Sequence, residues 1–472
     1  MKGASSDGHY SSRTHSSHTR SSPVFLRAPL PQLLIILVLA GMTVGCGTTG
    51  KSLTTTPQTA LDAAPEPVLS EEQQRANAES FEQVWQTVNK TFWDPGFGGV
   101  DWDSVRETHA PLVVAATIQS EARQLIKQAL GELGESHFYI IPAELYEDMI
   151  GGPKGQGECG FRVRVIDGHA VVVKVIPDSP GEKAGIQRGW ELLAARDSEL
   201  RSFIEKLEAE YAGSLTLTSK LSVAARGKLR GEIGDELPLR FLDGDGGERV
   251  LSLRLEEPRG HKAVFSNLPP AWIDIRAERL AGDIGYVSLS IFMDPTFTMG
   301  EFNKAMSSFG DCRGVVLDLR GNGGGIAGMA PGLAGWFVQE SNQSLGEMIT
   351  RDSHLNLRVR PRLNAYSGPL AVLVDELSAS TSEFLAAGLQ DLGHAHVFGS
   401  RSAGAALVAN MIRLPNGDGF EYAFADYEST GGGRIEGNGV VPDVETPYSR
   451  ATLLEDEDAA LVAAIAWINE SR

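Results

Sequence analysis

The sequence predicts an α/β fold for residues 262–472, preceded by a helical N-terminal segment and a β-rich module. Three observations carry this reading. Residues 262–472 alternate short, continuous apolar runs with helical stretches, the pattern of buried strands separated by helices. Residues 76–150 space their apolar side chains at helical period, and residues 155–258 instead pair alternating runs around hairpin signals. A chain of 472 residues exceeds one ordinary core. Its 22% charged and 42% hydrophobic residues exclude a wholly disordered or polytopic membrane protein. A net charge of −19 argues against a duplex nucleic-acid partner, because phosphate contacts need a basic face.

Residues 1–45 read as a targeting segment. A basic, Ser/His-rich stretch precedes the apolar run Leu33–Val44, which is short of the ~20 residues that span a bilayer. The ending Gly45-Cys46 resembles a bacterial lipoprotein signal, in which Cys46 is lipidated and becomes the mature N-terminus, although Thr43 stands where Leu is usual. The alternative is an uncleaved anchor with an incidental cysteine. Both place the body outside the cytoplasm at a membrane surface, in a bacterial envelope for the lipoprotein reading. Residues 46–75, dense in Thr, Pro and Ala, cannot bury a core and read as a flexible tether.

Phe81, Val84, Trp85 and Val88 fall at i, i+3, i+4 and i+7 of a first helix; Asp101 or Asp103 caps a second, and a third runs from Ser120 to Leu133. His137-Phe138-Tyr139-Ile140 then opens a strand. In the module, Phe161–Val165 alternates, Asp167-Gly168 is a hairpin turn, and Ala170–Val173 begins the return strand. A polar helical insertion at 198–231 precedes strands at Leu237–Leu242 and Arg249–Leu255. The last region has strands at 284–289, 314–319 and 370–374, with helices at 298–309, 384–392 and 458–468.

Two turns invite chemistry. Arg320-Gly-Asn-Gly-Gly-Gly325 lacks the Lys-Ser/Thr of a P-loop, but its backbone N–H groups suit a developing oxyanion as well as a tight turn. Ser378-Ala-Ser-Thr-Ser-Glu383 places Ser380 where a strand ends and a helix begins, beside unpaired N–H groups, a setting that equally suits a plain N-cap. No G-x-S-x-G elbow occurs. Among the histidines, His137 stands out because Gly134-Glu-Ser-His137 opens a strand directly after a helix. No H-E-x-x-H occurs and the pair His394/His396 lacks obvious co-ligands, so neither a metal nor another cofactor is expected. Cys159 and Cys312 read as free, buried thiols.

Taken together, VVLDLRGNGGG at 315–325, VLVDELSASTSEFLAAGLQD at 372–391, and FWDPGFGGVDWDSV at 92–105 leading to LGELGESH at 130–137 resemble the tail-specific, or carboxy-terminal processing, serine peptidases, and specifically their tricorn-core branch. SPGEKAGIQRGW at 179–190 is similar to a PDZ domain element, with Trp190 where Asp is usual. The resemblance covers nearly everything from residue 75 onward and implies a ClpP/crotonase-like peptidase core at 262–472 with an inserted PDZ-like domain at 155–258.

The processing peptidases commonly carry a lysine about 25 residues after the serine; that count from Ser380 reaches Ala405. The tricorn-like branch uses a Ser-His pair and a late glutamate instead, which Ser136-His137 and Glu436 match. The resemblance thus implies Ser380 as nucleophile, His137 as base, Ser136 and Glu436 as its orienting relay, and an oxyanion site on the N–H groups of Thr381 and a glycine such as Gly323 or Gly324. Glu383 and Asp318 suit helix-capping and strand-end roles. It further implies polypeptide substrates, whose C-termini would be received at Gly160 and Phe161 of the PDZ-like module, and leaves self-assembly open. A family member that captures peptides or ligands without turnover is the alternative, and a crotonase-type acyl-thioester enzyme a weaker one.

Overall fold

A computed structural model describes residues 66–150, 157–211, 216–264 and 270–471. The targeting segment, Cys46 and most of the tether lie outside the described residues. Among the described residues no helix is long and apolar enough to cross a membrane.

Helices run over Glu71–Thr91, Trp102–Ala115 and Gln119–Gly131. The first starts inside the stretch expected to be tether. Ser70 and Gln73 form a reciprocal capping box and Leu69 is buried, so the backbone is fixed before residue 75. Asp101, not Asp103, caps the second helix. The indoles of Trp85 and Trp102 each donate to the other's backbone carbonyl, at 2.8 and 3.1 Å, which locks the first two helices together.

The middle module is a sheet in the order Phe161–Ile166, His169–Val175, Glu191–Ala195, Glu236–Leu242, Glu248–Arg254. Its helical insertion resolves into Leu200–Glu210 and Leu217–Gly227. Trp190 is buried edge-on to Phe241, so the residue that departs from the PDZ pattern serves the module's core.

The expected α/β core is a six-stranded sheet: Ile275–Leu280, Ile284–Leu289, Gly314–Asp318, Leu370–Val374, His396–Gly399, Val444–Glu445. All pairs but the first are parallel. Gly314–Asp318 and Leu370–Val374 are buried throughout, which explains why they read as continuous apolar runs. Helix Ala459–Glu470 covers one face through Ala460, Ala464 and Ile468.

A second, five-stranded sheet was not anticipated. Its strands are Tyr139–Ile141, Gly419–Ser429, Ser344–Thr350, His354–Arg358 and Val408–Arg413. It matters because Tyr139–Ile141 pairs with Gly419–Glu421, drawing the end of the helical segment onto the core. Buried Asp418 fixes that junction, accepting from Arg123 at 2.7 Å and from the Ala143 N–H at 2.8 Å.

Candidate active site

Ser380 lies where the backbone leaves strand Leu370–Val374 and enters helix Thr381–Asp391. It sits at φ 52°, ψ −117°, a conformation that costs about 1–3 kcal/mol for a residue with a side chain. Surrounding bonds over-determine it. The Ser380 N–H donates to Ala405 O (2.9 Å) and to Glu383 Oε2 (2.8 Å), and Ala379 N–H donates to Asn322 O (3.0 Å). The hydroxyls of Thr381 and Ser382 donate to the carbonyls of Gly325 and Asn322, each at 2.9 Å. The serine-rich turn and the glycine-rich turn are thus laced into one unit.

Gly324 explains why that unit needs glycine. At φ 98°, a Cβ there would lie 2.8 Å from Ala379 O and 2.8 Å from Ser380 Cβ. The Gly324 N–H donates to Asn322 Oδ1 at 2.9 Å, so an oxyanion would have to displace that bond. No acceptor meets the Gly323 N–H among the described residues. The Thr381 N–H occupies the first helical position, where no intrahelical acceptor exists.

His137, at φ 61°, closes the helical segment just before strand Tyr139–Ile141. Its Nδ1 is 2.5 Å from Ser136 Oγ. Glu436 Oε1 accepts the Ser136 N–H (3.1 Å), while Oε2 accepts the N–H groups of Ala406 (2.7 Å) and Leu407 (3.2 Å). Ser136, His137 and Glu436 are therefore brought together from positions 300 residues apart. Burial lowers the His137 imidazole to about 4, keeping it neutral at pH 7. Burial raises the Glu436 carboxyl to about 7, against the donors that favour its charge.

His137 Nε2 and Ser380 Oγ are both buried and neither has a hydrogen-bond partner, so they do not bond each other in this conformation. The link between the two halves is Glu383, a residue expected only to cap the helix. Besides the Ser380 N–H, it accepts Ser402 Oγ (2.6 Å), Gly404 N–H (2.8 Å) and Ala405 N–H (3.2 Å). The next two residues along that loop are Ala406 and Leu407, which hold Glu436. Burial raises Glu383 to about 7 as well. Asn322 was also missed; its amide donates to Leu289 O at 2.8 Å, anchoring the glycine turn to the sheet. Its place inside a glycine run was the only signal for it.

Asp318 ends its strand as expected. Burial opposes its charge, but the Arg320 guanidinium at 2.7 Å brings the carboxyl down to about 2. His394 and His396 face different carboxylates, Glu340 and Asp443. Cys159 and Cys312 are free and buried.

In the module, Gly160 sits at φ 83° where a Cβ would strike Ser179, so the position needs glycine, and Phe161 is buried against Phe241. The free edge of strand Phe161–Ile166 is partly taken: the Val165 N–H donates to Ser222 Oγ of helix Leu217–Gly227 at 3.0 Å. Arg164 of this strand reaches the core and pairs with Asp375 at 2.7 Å. The other oxygen of Asp375 accepts the N–H groups of Gly321 (2.7 Å) and Leu377 (3.1 Å), so the module grips both turns of the site.

This combination of an α/β core, a strained serine at a helix start and a buried Ser-His-Glu cluster is that of a serine-type peptidase. Residues 283–446 match peptidase family S41, and residues 73–131 match the tricorn protease C1 domain. These matches and the relatives below support the family of tail-specific, carboxyl-terminal-processing peptidases. It is 27% identical to carboxyl-terminal-processing peptidase 3 of Arabidopsis thaliana, over 77% of this chain and 67% of that one. It is 26% identical to a carboxyl-terminal-processing protease of Picosynechococcus, over 83% and 89% respectively. It is also 25% identical to putative tricorn protease homolog 2 of Streptomyces coelicolor, over 78% of this chain but only 30% of that protein. The fold is shared with the photosystem II D1 C-terminal processing protease (TM-score 0.54, 20% identity, 83% and 99% coverage) and with mature CPAF (0.56, 14%, 84% and 96%).

Proposed function

We propose that the protein is an extracytoplasmic, membrane-tethered serine endopeptidase that cleaves unfolded or C-terminally exposed polypeptides with a Ser-His-Ser-Glu tetrad. The observation that carries this reading is the pairing of Ser380, strained at a helix start beside Gly324, with the hydrogen-bonded cluster Ser136–His137–Glu436. The extracytoplasmic location rests on residues 1–46 alone.

For Nε2 to accept a proton, Nδ1 of His137 must carry hydrogen and donate to Ser136 Oγ, whose own proton then turns toward Glu436. Ser380 Oγ attacks the scissile carbonyl as Nε2 takes its proton. The oxyanion forms on the Thr381 N–H and on Gly323 or Gly324, each donor worth about 3 kcal/mol. His137 then protonates the leaving amine, and water repeats the cycle on the acyl-enzyme. Bringing Nε2 and Oγ into contact is the step that substrate binding has to supply, consistent with catalytic bonds that tighten only in the complex. We assign the module at 155–258 a PDZ-like role in capturing polypeptide ends at Gly160 and Phe161, which requires Ser222 to yield its place on the strand edge.

The test compares wild type with Ser380→Ala and His137→Ala on casein. Each variant is expected to lose at least about 10³-fold in kcat; hydrolysis at the wild-type rate in either one overturns the assignment. The unpartnered Ser380 Oγ and His137 Nε2 favour one second reading, a member that binds peptides without turnover. A phosphonate probe separates the two: labelling at Ser380 supports the peptidase, and peptide binding with no labelling supports the silent member.

A further inference from the structure

Between the middle module and the core lies a cleft of about 420 Å³. Its lining carries eight cationic side chains against four carboxylates, in a protein whose overall charge is −19. Most of those cations are already answered. Arg162 pairs with Glu158, Arg164 with Asp375, Arg188 with Asp456, Arg276 with Asp274, and Arg320 with Asp318 and Asp458. Arg226 and Lys174 have no ion pair among the described residues. Arg226 closes helix Leu217–Gly227 and sits near Arg162, Arg164 and Arg230, so like charges crowd it. Burial and that crowding pull its guanidinium down to about 9. An unanswered guanidinium in such a place is costly unless an anion completes it.

We propose that this cleft is an anion subsite that receives carboxylates of an acidic polypeptide substrate, with Arg226 and Lys174 as the receiving cations. The inference rests on the peptidase reading and adds a substrate preference to it. The acidic body repels an acidic polypeptide elsewhere, and the cleft is where attraction replaces repulsion. It also opens beside the catalytic turns: Gly321 lines it, and the adjoining Asn322 holds Ala379, next to the nucleophile. The carboxylates come from Asp or Glu side chains, the substrate's own C-terminus being assigned to Gly160 and Phe161.

The experiment measures fluorescence anisotropy of labelled decapeptides on full-length Ser380→Ala protein, so that binding is read without turnover. One peptide carries four Glu residues near its C-terminus, a second carries Gln in their place, and each is made with a free and an amidated end. The Glu peptide is expected to bind about 10-fold tighter than the Gln peptide, with the gap closing in high salt. Arg226→Gln and Lys174→Gln should each remove about 3- to 10-fold of that preference, and Arg226→Lys should retain part of it. A preference that follows amidation instead of Glu credits the end-capturing site at Gly160 and Phe161 and overturns the proposal. Equal binding of all four peptides, or a full preference in both Gln variants, overturns it. Casein hydrolysis by wild type is scored separately: activity without preference removes only this subsite, and preference without activity removes only the peptidase reading.

Discussion

At the scale of single residues, the protonation of the cluster decides the pH dependence of the reaction. His137, lowered to about 4 by burial, is neutral through the physiological range, the form the proposed base requires. Glu436, raised to about 7, is the member of the Ser136–His137–Glu436 cluster that titrates there. In the proposed relay a charged Glu436 steadies the imidazolium through Ser136, so kcat/KM is expected to rise with pH through about 7. In Glu436→Gln that limb should disappear and the remaining one should fall toward pH 4, with the rate at pH 8 reduced by about 10- to 10²-fold. An unchanged acid limb in the Gln variant would remove Glu436 from the relay. Ser136→Ala should lower kcat by about 10²- to 10⁴-fold with KM little changed, because the wrong histidine tautomer becomes as favourable as the right one. A steady-state comparison of the two constants checks it.

At the scale of elements, the site is two turns held at fixed distance by glycine and by Glu383. Gly324→Ala pushes a methyl group against Ala379 O and Ser380 Cβ at a positive φ, so stability should fall by about 2 kcal/mol and kcat by at least about 10²-fold. Gly328→Ala, where nothing lies within 4 Å, is the control and should change stability by less than about 0.5 kcal/mol. Denaturant melts read both. Ala405→Lys, which puts a base where the processing branch keeps its own, should not raise activity, since that loop's N–H groups already hold Glu383 and Glu436. Much of this architecture was legible in the sequence. Strand Leu370–Val374 and the Asp167-Gly168 hairpin were read directly, because buried strands give unbroken apolar runs and tight turns demand their own residues. The second sheet was not. Gly419–Ser429 buries charged Glu421 and Asp426 beside its aromatics, and Ser344–Thr350 carries a bulge, so neither shows a clean period of two. That sheet is what brings His137 to the core, so the cluster's residues were identifiable by resemblance, but their shared location was not derivable from spacing. Glu383 reads as a helix cap from sequence alone; its second role as tie to the 402–405 loop exists only once the loop has folded over it.

At the scale of the whole molecule, buried carboxyls set the pH of greatest stability. Glu376, Glu383 and Glu436 are each raised to about 7, in every case first by burial. Their unfolded values lie near 4.5, so between about 4.5 and 7 the native state holds more protons than the unfolded polypeptide. Stability must therefore fall as pH rises through that window. His137 acts in the opposite sense, since its native value of about 4 lies below 6.5 and its contribution grows with pH from 4 to 6.5. Three groups oppose one, and the growing negative charge of the body adds repulsion to the same side. Below this window Asp318, held near 2 by Arg320 against burial, loses its contribution as it protonates. The thermal midpoint is thus expected to peak near pH 4.5–5 and to decline toward pH 7. Glu376→Gln, which leaves the contacts of Ser380 in place, should flatten that decline by roughly a third if the three carboxyls share it equally. A midpoint that rises steadily from pH 4.5 to 7 would mean that these carboxylates are ionised in the fold, their hydrogen-bond donors having outweighed their burial.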